Sequence, residues 1–325
     1  MFKRWFISGG CGCIGSHFTD ELLADQSVEA VTLYDNLSSG KAWYYAHHLN
    51  DPRLKVIIND VENMSVLEKA ILGHDVVIHL ASNPDIAKAA TDPTIDFYQG
   101  TALTNNVVEA MRRTGVKRLL YASGSGVYGD HPEVEFQEDF SPLLPISTYG
   151  ASKLAGEVLI HSYCYMFGLE ACCFRFGNVV GARQTHGVGL DFIKKLLKDP
   201  AKLQILGSGT QSKSYVYIKD IVGAVFCANR NLNKQFEVYN VATEDYITVS
   251  EIAEIVIECM ELSKDNVKIE YTGGNRGWRG DVPIVKLSSD RIRKLGWKNI
   301  FTTREAISKS ILDMLADINN GKMKL

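Results

Sequence analysis

Tyr149 and Lys153 stand four residues apart where a helical pattern opens, in Tyr149-Gly-Ala-Ser-Lys153. That spacing puts a phenol and an ammonium on one helix face, one turn apart. A neighbouring ammonium favours the phenolate and lowers the phenol from its ordinary pKa of about 10. The resulting base can take a proton from a hydroxyl while hydride leaves the same carbon. Such a pair alone fits a solvated helix face equally well, so its surroundings decide. Near the N-terminus a strand pattern runs into Gly9-Gly-Cys-Gly12-Cys13-Ile14-Gly15, and a helix pattern follows. Glycines at 9, 12 and 15 permit a tight turn, close backbone approach to a pyrophosphate and close helix–strand packing, with the helix N-terminus facing the anion. Asp35 ends the second strand pattern about 20 residues past the last glycine, where a carboxylate accepts ribose hydroxyls and repels a 2′-phosphate. The expected cofactor is therefore NAD rather than NADP. Asp60 and Val61 follow the third strand pattern, toward the adenine edge. Leu80, Ala81 and Ser82 follow the fourth, along the pyrophosphate–nicotinamide side, since ligands of such sheets lie at strand carboxyl ends.

Rigid elements must hold these residues. Short apolar runs at 4–8, 30–34, 54–58, 76–80, 118–122, 171–176 and 237–241 lack a polar alternate face, as expected of parallel strands covered on both sides. Helical patterns at 15–25, 66–72, 96–113, 149–167 and 218–231 lie between them. The alternation predicts an α/β fold, a Rossmann-type doubly wound parallel sheet. After residue 180 the pattern loosens into loops at 181–189, 207–214 and 271–283, with helical patterns at 250–260, 288–295 and 303–319. The expectation is a cofactor domain over 1–180 with a return through 215–242, and a smaller interleaved lobe over 181–214 and 243–325.

The chain has 325 residues and a net charge of −3, and 46% of it is hydrophobic. Length predicts about two domains, and the charge balance gives no general attraction to nucleic acid or to an anionic membrane. No apolar run approaches the roughly 18–20 residues that span a bilayer. Seven cysteines without an export segment suggest reduced thiols and a cytoplasmic location. Cys11-x-Cys13 lacks zinc-ligand spacing, and no metal is expected.

Taken together, Gly9, Gly12 and Gly15, the Asp35-Asn36-Leu-Ser-Ser39-Gly40 segment, His79-Leu-Ala81, Val127-Tyr-Gly129 and Tyr149-x-x-x-Lys153 resemble the extended short-chain dehydrogenase/reductase superfamily. More narrowly, they resemble its NAD-dependent nucleotide-sugar epimerase/dehydratase branch. The resemblance extends over Phe174-Arg-Phe-Gly-Asn178-Val-Val-Gly181 and Gly280-Asp281-Val-Pro283, hence essentially the whole chain. It implies bound NAD with Asn36, Ser39 and Gly40 among its contacts, a C-terminal lobe gripping a nucleotide diphosphate sugar, and a homodimer through helices 96–113 and 149–167. Apolar candidates for that interface are Leu154, Val158, Ile160, Tyr163 and Met166. It also implies that Asn178 touches the diphosphate and that Asp281 contacts the nucleotide ribose. Lys213 stands where an arginine commonly binds phosphate; lysine keeps the charge but loses the bidentate fork. Either Arg276 or Arg279 could clamp the diphosphate, because the position three before Asp281 is Trp278.

The chain departs from the pattern at the third catalytic residue, a Ser or Thr three positions before Val-Tyr-Gly. That position is Gly124, flanked by Ser123 and Ser125. Either hydroxyl, or a water, can reach the sugar oxygen, and Ser125 is the preferred candidate beside Tyr149 and Lys153. A second departure is Phe97, where relatives carry Asn four residues before a Thr. Dehydratases of the family place Asp-Glu after the catalytic Thr, and the decarboxylases place Glu just before Val-Tyr-Gly. Here those positions are Ser125 and Gly126, which do not titrate usefully. The expectation is a nucleotide-sugar 4-epimerase acting on a UDP-sugar by transient C4 oxidation, rotation of the keto-sugar and hydride return. The alternatives are a nucleotide-sugar acid decarboxylase, a dehydrogenase/reductase, or a non-catalytic NAD(H)-binding regulator.

Overall fold

The computed structural model describes residues 2–274 and 282–323. Its centre is a seven-stranded, all-parallel sheet built from β1 (Arg4–Ser8), β2 (Ala30–Asp35), β3 (Leu54–Ile58), β4 (Val76–His79), β5 (Arg118–Gly124), β6 (Glu170–Phe176) and β7 (Phe236–Val241). The spatial order is β7-β6-β5-β4-β1-β2-β3. The order reverses between β1 and β4, and that is where an open α/β sheet leaves a crevice at its strand ends.

Alternation along the apolar runs explains why they lack a polar face. Trp5 and Ile7 of β1, with Cys172 and Phe174 of β6, enter one core. Phe6 and Cys173, one residue along, enter the other. The first core lies under α1 (Cys13–Ala24) and α6 (Ile218–Asn231). The second lies under α2 (Met64–Ile71), α3 (Leu103–Thr114) and α4 (Thr148–Phe167). Burial on both faces gives the residues of the central strands the roughly 25 cal/mol per Å² of apolar surface removed from water, whereas β3 at the sheet edge is only partly buried.

Three helical expectations shift. The 96–113 pattern opens as a π-helical turn, Phe97–Ala102, before α3 begins. At Gly100 this turn lies so close to α4 that a Cβ would stand 2.7 Å from Ser152 Oγ. The 288–295 pattern shortens to α8 (Asp290–Arg293), after which Gly296 takes φ +95° and Trp297 donates its indole N–H to the Asp220 carbonyl. A helix over Val188–Lys198 (α5) begins inside the expected 181–189 loop and buries Leu190, Phe192, Ile193 and Leu196. α7 (Val249–Cys259) and α9 (Thr303–Asn319) complete the first core; α9 starts on a Thr302/Glu305 capping box. On α4, Ile160 is fully buried against the sheet, while Val158, Tyr165 and Met166 are exposed. Among the described residues, no helix is long and apolar enough to cross a membrane.

Candidate active site

A cavity of about 740 Å³ runs along the carboxyl ends of the strands. At one end of it β1 turns at Gly9, whose φ is +72° and where a Cβ would stand 2.7 Å from the Ala81 nitrogen. A side chain there is excluded twice, by conformation and by contact. Gly15 brings α1 against the same loop, since its Cβ would meet the Gly9 carbonyl at 2.6 Å. Gly12 is the N-cap, gives no side-chain cap, and no acidic residue follows in the first turn. The positive end of α1 therefore faces the cavity without a protein anion on it.

Asp35 is fixed rather than free. Its Oδ2 accepts from the Cys11 amide at 3.0 Å and its Oδ1 from the Leu37 amide at 2.8 Å. Burial pushes its carboxyl up, and those two amides oppose the shift. A carboxylate has about four acceptor sites, so capacity for hydroxyl donors remains. Asn36 donates to Asp60 Oδ2 at 2.7 Å, and Tyr34 Oη donates to the Asp60 carbonyl, so the ends of β2 and β3 form one polar wall. Ser39, Val61, Leu80, Ala81 and Ser82 line the cavity, as do Cys13 and Ile14. Gly40 lies behind the wall instead, packed on Asp35 and Cys11.

A clamp of side chains fastens residues 182 and 183 to α1. The Ala182 carbonyl accepts from the Cys13 thiol, and His17 Nε2 lies 3.1 Å from it. Arg183 donates to Ser16 Oγ and pairs with Asp20 Oδ2 at 2.8 Å, while Tyr44 Oη donates to the Arg183 carbonyl. Asp20 Oδ1 also meets His47 Nε2 at 3.0 Å and His48 Nε2 at 2.8 Å. Their ligand atoms lie within 4.8 Å of one another, but the Arg183 guanidinium already supplies positive charge to that carboxylate.

The other end of the cavity is organised by α4. Ser147 caps it by accepting from the Gly150 amide, which sets Tyr149 and Lys153 on the face that meets β4 and β5. Lys153 is only 3% exposed. Its Nζ donates to the Ala122 carbonyl at 2.8 Å and to Ser82 Oγ at 3.2 Å, and lies 5.4 Å from the Tyr149 ring centre. Burial lowers the ammonium to about 8, partly offset by the Asp96 carboxylate. Tyr149 opens on the cavity, yet burial pushes its phenol up to about 12, a rise the neighbouring Ser82 hydroxyl only partly opposes. This corrects the expectation of a lowered phenol: in this geometry the cost of dehydrating a phenolate exceeds the help its polar neighbours give.

Of the two serines flanking Gly124, Ser123 is committed elsewhere. Its hydroxyl donates to Glu157 Oε1 at 2.5 Å, inside a buried network in which Arg175 Nη2 meets Glu157 Oε2 at 2.7 Å. Ser125 begins a 3₁₀ turn and lines the cavity. Asn178 and Lys213 line the facing wall, with Asn178 Nδ2 donating to the Ser214 carbonyl. Arg276, Arg279 and Asp281 lie outside the described residues. Phe97 is solvent-exposed rather than at the cofactor side.

The family model for the NAD dependent epimerase/dehydratase family matches residues 5–242. The chain belongs to that family. It is similar to UDP-glucuronic acid decarboxylase 1 of Danio rerio, with 30% identity over 95% of this chain and 72% of that protein. Among solved structures, a UDP-galactose 4-epimerase is 35% identical with a TM-score of 0.84, covering 97% of this chain and 99% of the other. The UDP-glucose 4-epimerase of Thermus thermophilus, solved with NAD, is 29% identical with a TM-score of 0.83, covering 96% and 99%.

NAD is the cofactor of this family, and the residues present fit it: a helix N-terminus without its own anion, a backbone turn that excludes side chains, and an anchored carboxylate at the end of β2. Two groups escaped the sequence reading. Asp96, almost fully buried, accepts from Asn83 Nδ2 at 2.9 Å and from Thr148 Oγ1 at 2.7 Å. The Asp20–Arg183 clamp joins positions more than 160 residues apart. For Asp96 the available signal was a lone carboxylate at the start of an apolar helical pattern; for the clamp there was none.

Proposed function

We propose that the chain is a nucleotide-sugar 4-epimerase acting on a UDP-linked sugar. One observation carries the reading. The strand end beside Tyr149 and Lys153 carries Gly124-Ser125-Gly126, so the positions next to the reacting sugar offer no carboxyl group for elimination or decarboxylation. What remains is proton transfer at a sugar hydroxyl by Tyr149, with the Lys153 ammonium stabilising the phenolate. NAD, when bound, supplies a reversible hydride store. Asp35, Asn36 and Asp60 hold its adenosine side, and the α1 N-terminus its pyrophosphate. Asn178 and Lys213 face the sugar nucleotide, with the 276–281 segment completing its grip.

Residues 1–180 and 215–242 then form the cofactor domain, and 181–214 and 243–325 the sugar-nucleotide lobe. The exposed Val158, Tyr165 and Met166 on α4, with Phe97 and Tyr98 beside α3, support a homodimer through these helices. Seven free thiols fit a reducing, cytoplasmic setting. The test is proton NMR of the purified protein with UDP-glucose, UDP-glucuronate and UDP-N-acetylglucosamine in turn. A new C4 epimer without accumulating NADH is expected. Carbon dioxide release with a pentose product overturns the reading in favour of the decarboxylase, and a released keto product in favour of the dehydrogenase.

A further inference from the structure

An aspartate that leads into a helix commonly turns back to cap it. Asp96, almost fully buried, leads into the π-helical turn Phe97–Ala102 but makes no side-chain cap. Its two oxygens go to two other elements. One accepts from Asn83 Nδ2 at 2.9 Å, the other from Thr148 Oγ1 at 2.7 Å. Thr148 is the residue before Tyr149. Asn83 is the residue after Ser82, whose Oγ accepts from Lys153 Nζ at 3.2 Å. Asn83 is itself held. Its backbone amide donates to the Gln99 carbonyl inside the turn, and its side chain accepts from the Asp85 amide and donates to the Asp85 carbonyl. Gly100 brings the same turn against Ser152, between the two catalytic positions. π-helical turns of this kind recur at functional sites.

We propose that Asp96 is a positioning residue for the Tyr149/Lys153 pair, a buried carboxylate that ties the start of α4 to the segment after β4. Its role rests on the epimerase reading: Asp96 lies behind the cavity wall and acts through those two groups. Geometry is the first part. Both bonds together fix α4 against the strand ends, and a misplacement of about 1 Å can cost about 100-fold in rate. Charge is the second. Lys153 Nζ lies 5.4 Å from the Tyr149 ring centre and 5.3 Å from that of Tyr121, and faces His79 of β4, which burial holds neutral. Asp96 supplies the negative charge that favours the ammonium, and the same charge disfavours a Tyr149 phenolate.

Two substitutions separate these parts. In Asp96→Asn the side-chain carbonyl can accept from Asn83 while the amide donates to the Thr148 oxygen, so the tie survives and the charge is lost. In the holoenzyme, Asp96→Ala is expected to lower kcat by about 30- to 100-fold, with KM and bound NAD little changed. Asp96→Asn should recover most of that loss, with its kcat–pH profile moved to lower pH, because the ammonium and the phenol each lose a proton more readily without the carboxylate charge. Thr148→Val keeps the shape and the buried charge and cuts only the tie to α4, so it serves where Asp96→Ala does not fold. Its kcat should fall by about 10-fold.

A further readout needs no substrate. In carbon-13 lysine NMR, the Lys153 signal, assigned with Lys153→Met and titrating near 8, should move to lower pH in Asp96→Asn and stay in place in Thr148→Val. An Asp96→Ala or Thr148→Val enzyme as fast as the parent, a loss that tracks departure of NAD, an Asp96→Asn enzyme as slow as Asp96→Ala, or a lysine titration that Asp96→Asn leaves unmoved overturns the proposal. If the parent enzyme turns over none of the three UDP-sugars, the epimerase reading fails on its own, and the lysine titration still decides Asp96.

Discussion

Removing the Glu157 carboxylate should cost the protein more than any exposed ion pair, and the structure lets the loss be sized. Arg175 and Glu157 are both almost fully buried. Arg175 Nη2 meets Oε2 at 2.7 Å, and its Nε reaches Oε1 at 3.0 Å; Ser123 donates to the same Oε1. Burial works against the guanidinium charge, and Glu157 more than offsets it, so Arg175 is held above its ordinary value. In Glu157→Ala the guanidinium keeps only neutral acceptors, Tyr128 Oη and the Glu138 carbonyl. Breaking a buried pair from one side costs about 3–5 kcal/mol, and the orphaned Ser123 hydroxyl adds about 1 kcal/mol. At about 2.1 cal/mol/K of unfolding entropy per residue, the 325-residue chain has about 0.7 kcal/mol/K, so a loss of about 4 kcal/mol lowers Tm by about 6 °C. Calorimetry of the parent, both single variants and Glu157→Leu/Arg175→Met checks this. The double variant should recover at least half the loss, because removing both charges leaves none uncompensated. A single-variant drop under about 2 °C, or a double variant as unstable as the singles, refutes the reasoning.

Tyr149→Phe should reduce epimerase turnover by at least about 100-fold while NAD stays bound, since it removes the proton acceptor and little else; turnover assays beside cofactor content after gel filtration read both. Asp35→Ala should release NAD on the same column, its backbone anchors being left without the carboxylate proposed to hold the ribose. Stability should fall as pH drops below about 6.5. His79, enclosed between Ser8 Oγ and Thr104 Oγ1, is held down to about 3 by burial and by Lys153. The unfolded chain therefore takes up a proton in that window while the folded one does not, so stability rises with pH across it and levels off above it. His17 and His74, also lowered by burial, add to the slope. Urea unfolding of the parent and His79→Asn between pH 4 and 7 should show a shallower slope for the variant.

Much of this was legible in the residues. The central strands announced themselves because burial on both faces leaves apolar runs, as in Trp5-Phe6-Ile7 and Cys172-Cys173-Phe174, and the edge strand β3 showed through Val56-Ile57-Ile58 although it is only partly buried. The glycine turn and the Tyr149/Lys153 pair were legible because they are local in sequence and their spacing alone sets a geometry. α5 was missed, although Leu190, Ile193 and Leu196 recur at helical spacing, because they follow a glycine-rich start that reads as a loop. What stayed hidden depends on distance in the chain. Nothing in Ser123 or Ser125 says which one Glu157 engages, because Glu157 arrives from another helix. The direction of the Tyr149 shift was misread for a related reason: spacing reports neighbours along a helix, whereas dehydration depends on everything that closes around them. The strands at Ser212–Lys213 and Ile247–Thr248, two residues each, are too short to carry any periodicity.

The Ala182–Arg183 segment bears on residence time. It is fastened to α1 by the Cys13 thiol, Ser16 and Asp20, and to the 42–48 stretch through Tyr44. Bonds drawn from separate stretches of chain release together, so this wall opens as a unit. On the proposed cofactor placement, a dinucleotide held near this wall would be slowed in leaving by the need for that opening. Slow exchange handicaps an enzyme that must discard a reduced cofactor after every cycle. It suits one that hands the same hydride back to the molecule that supplied it.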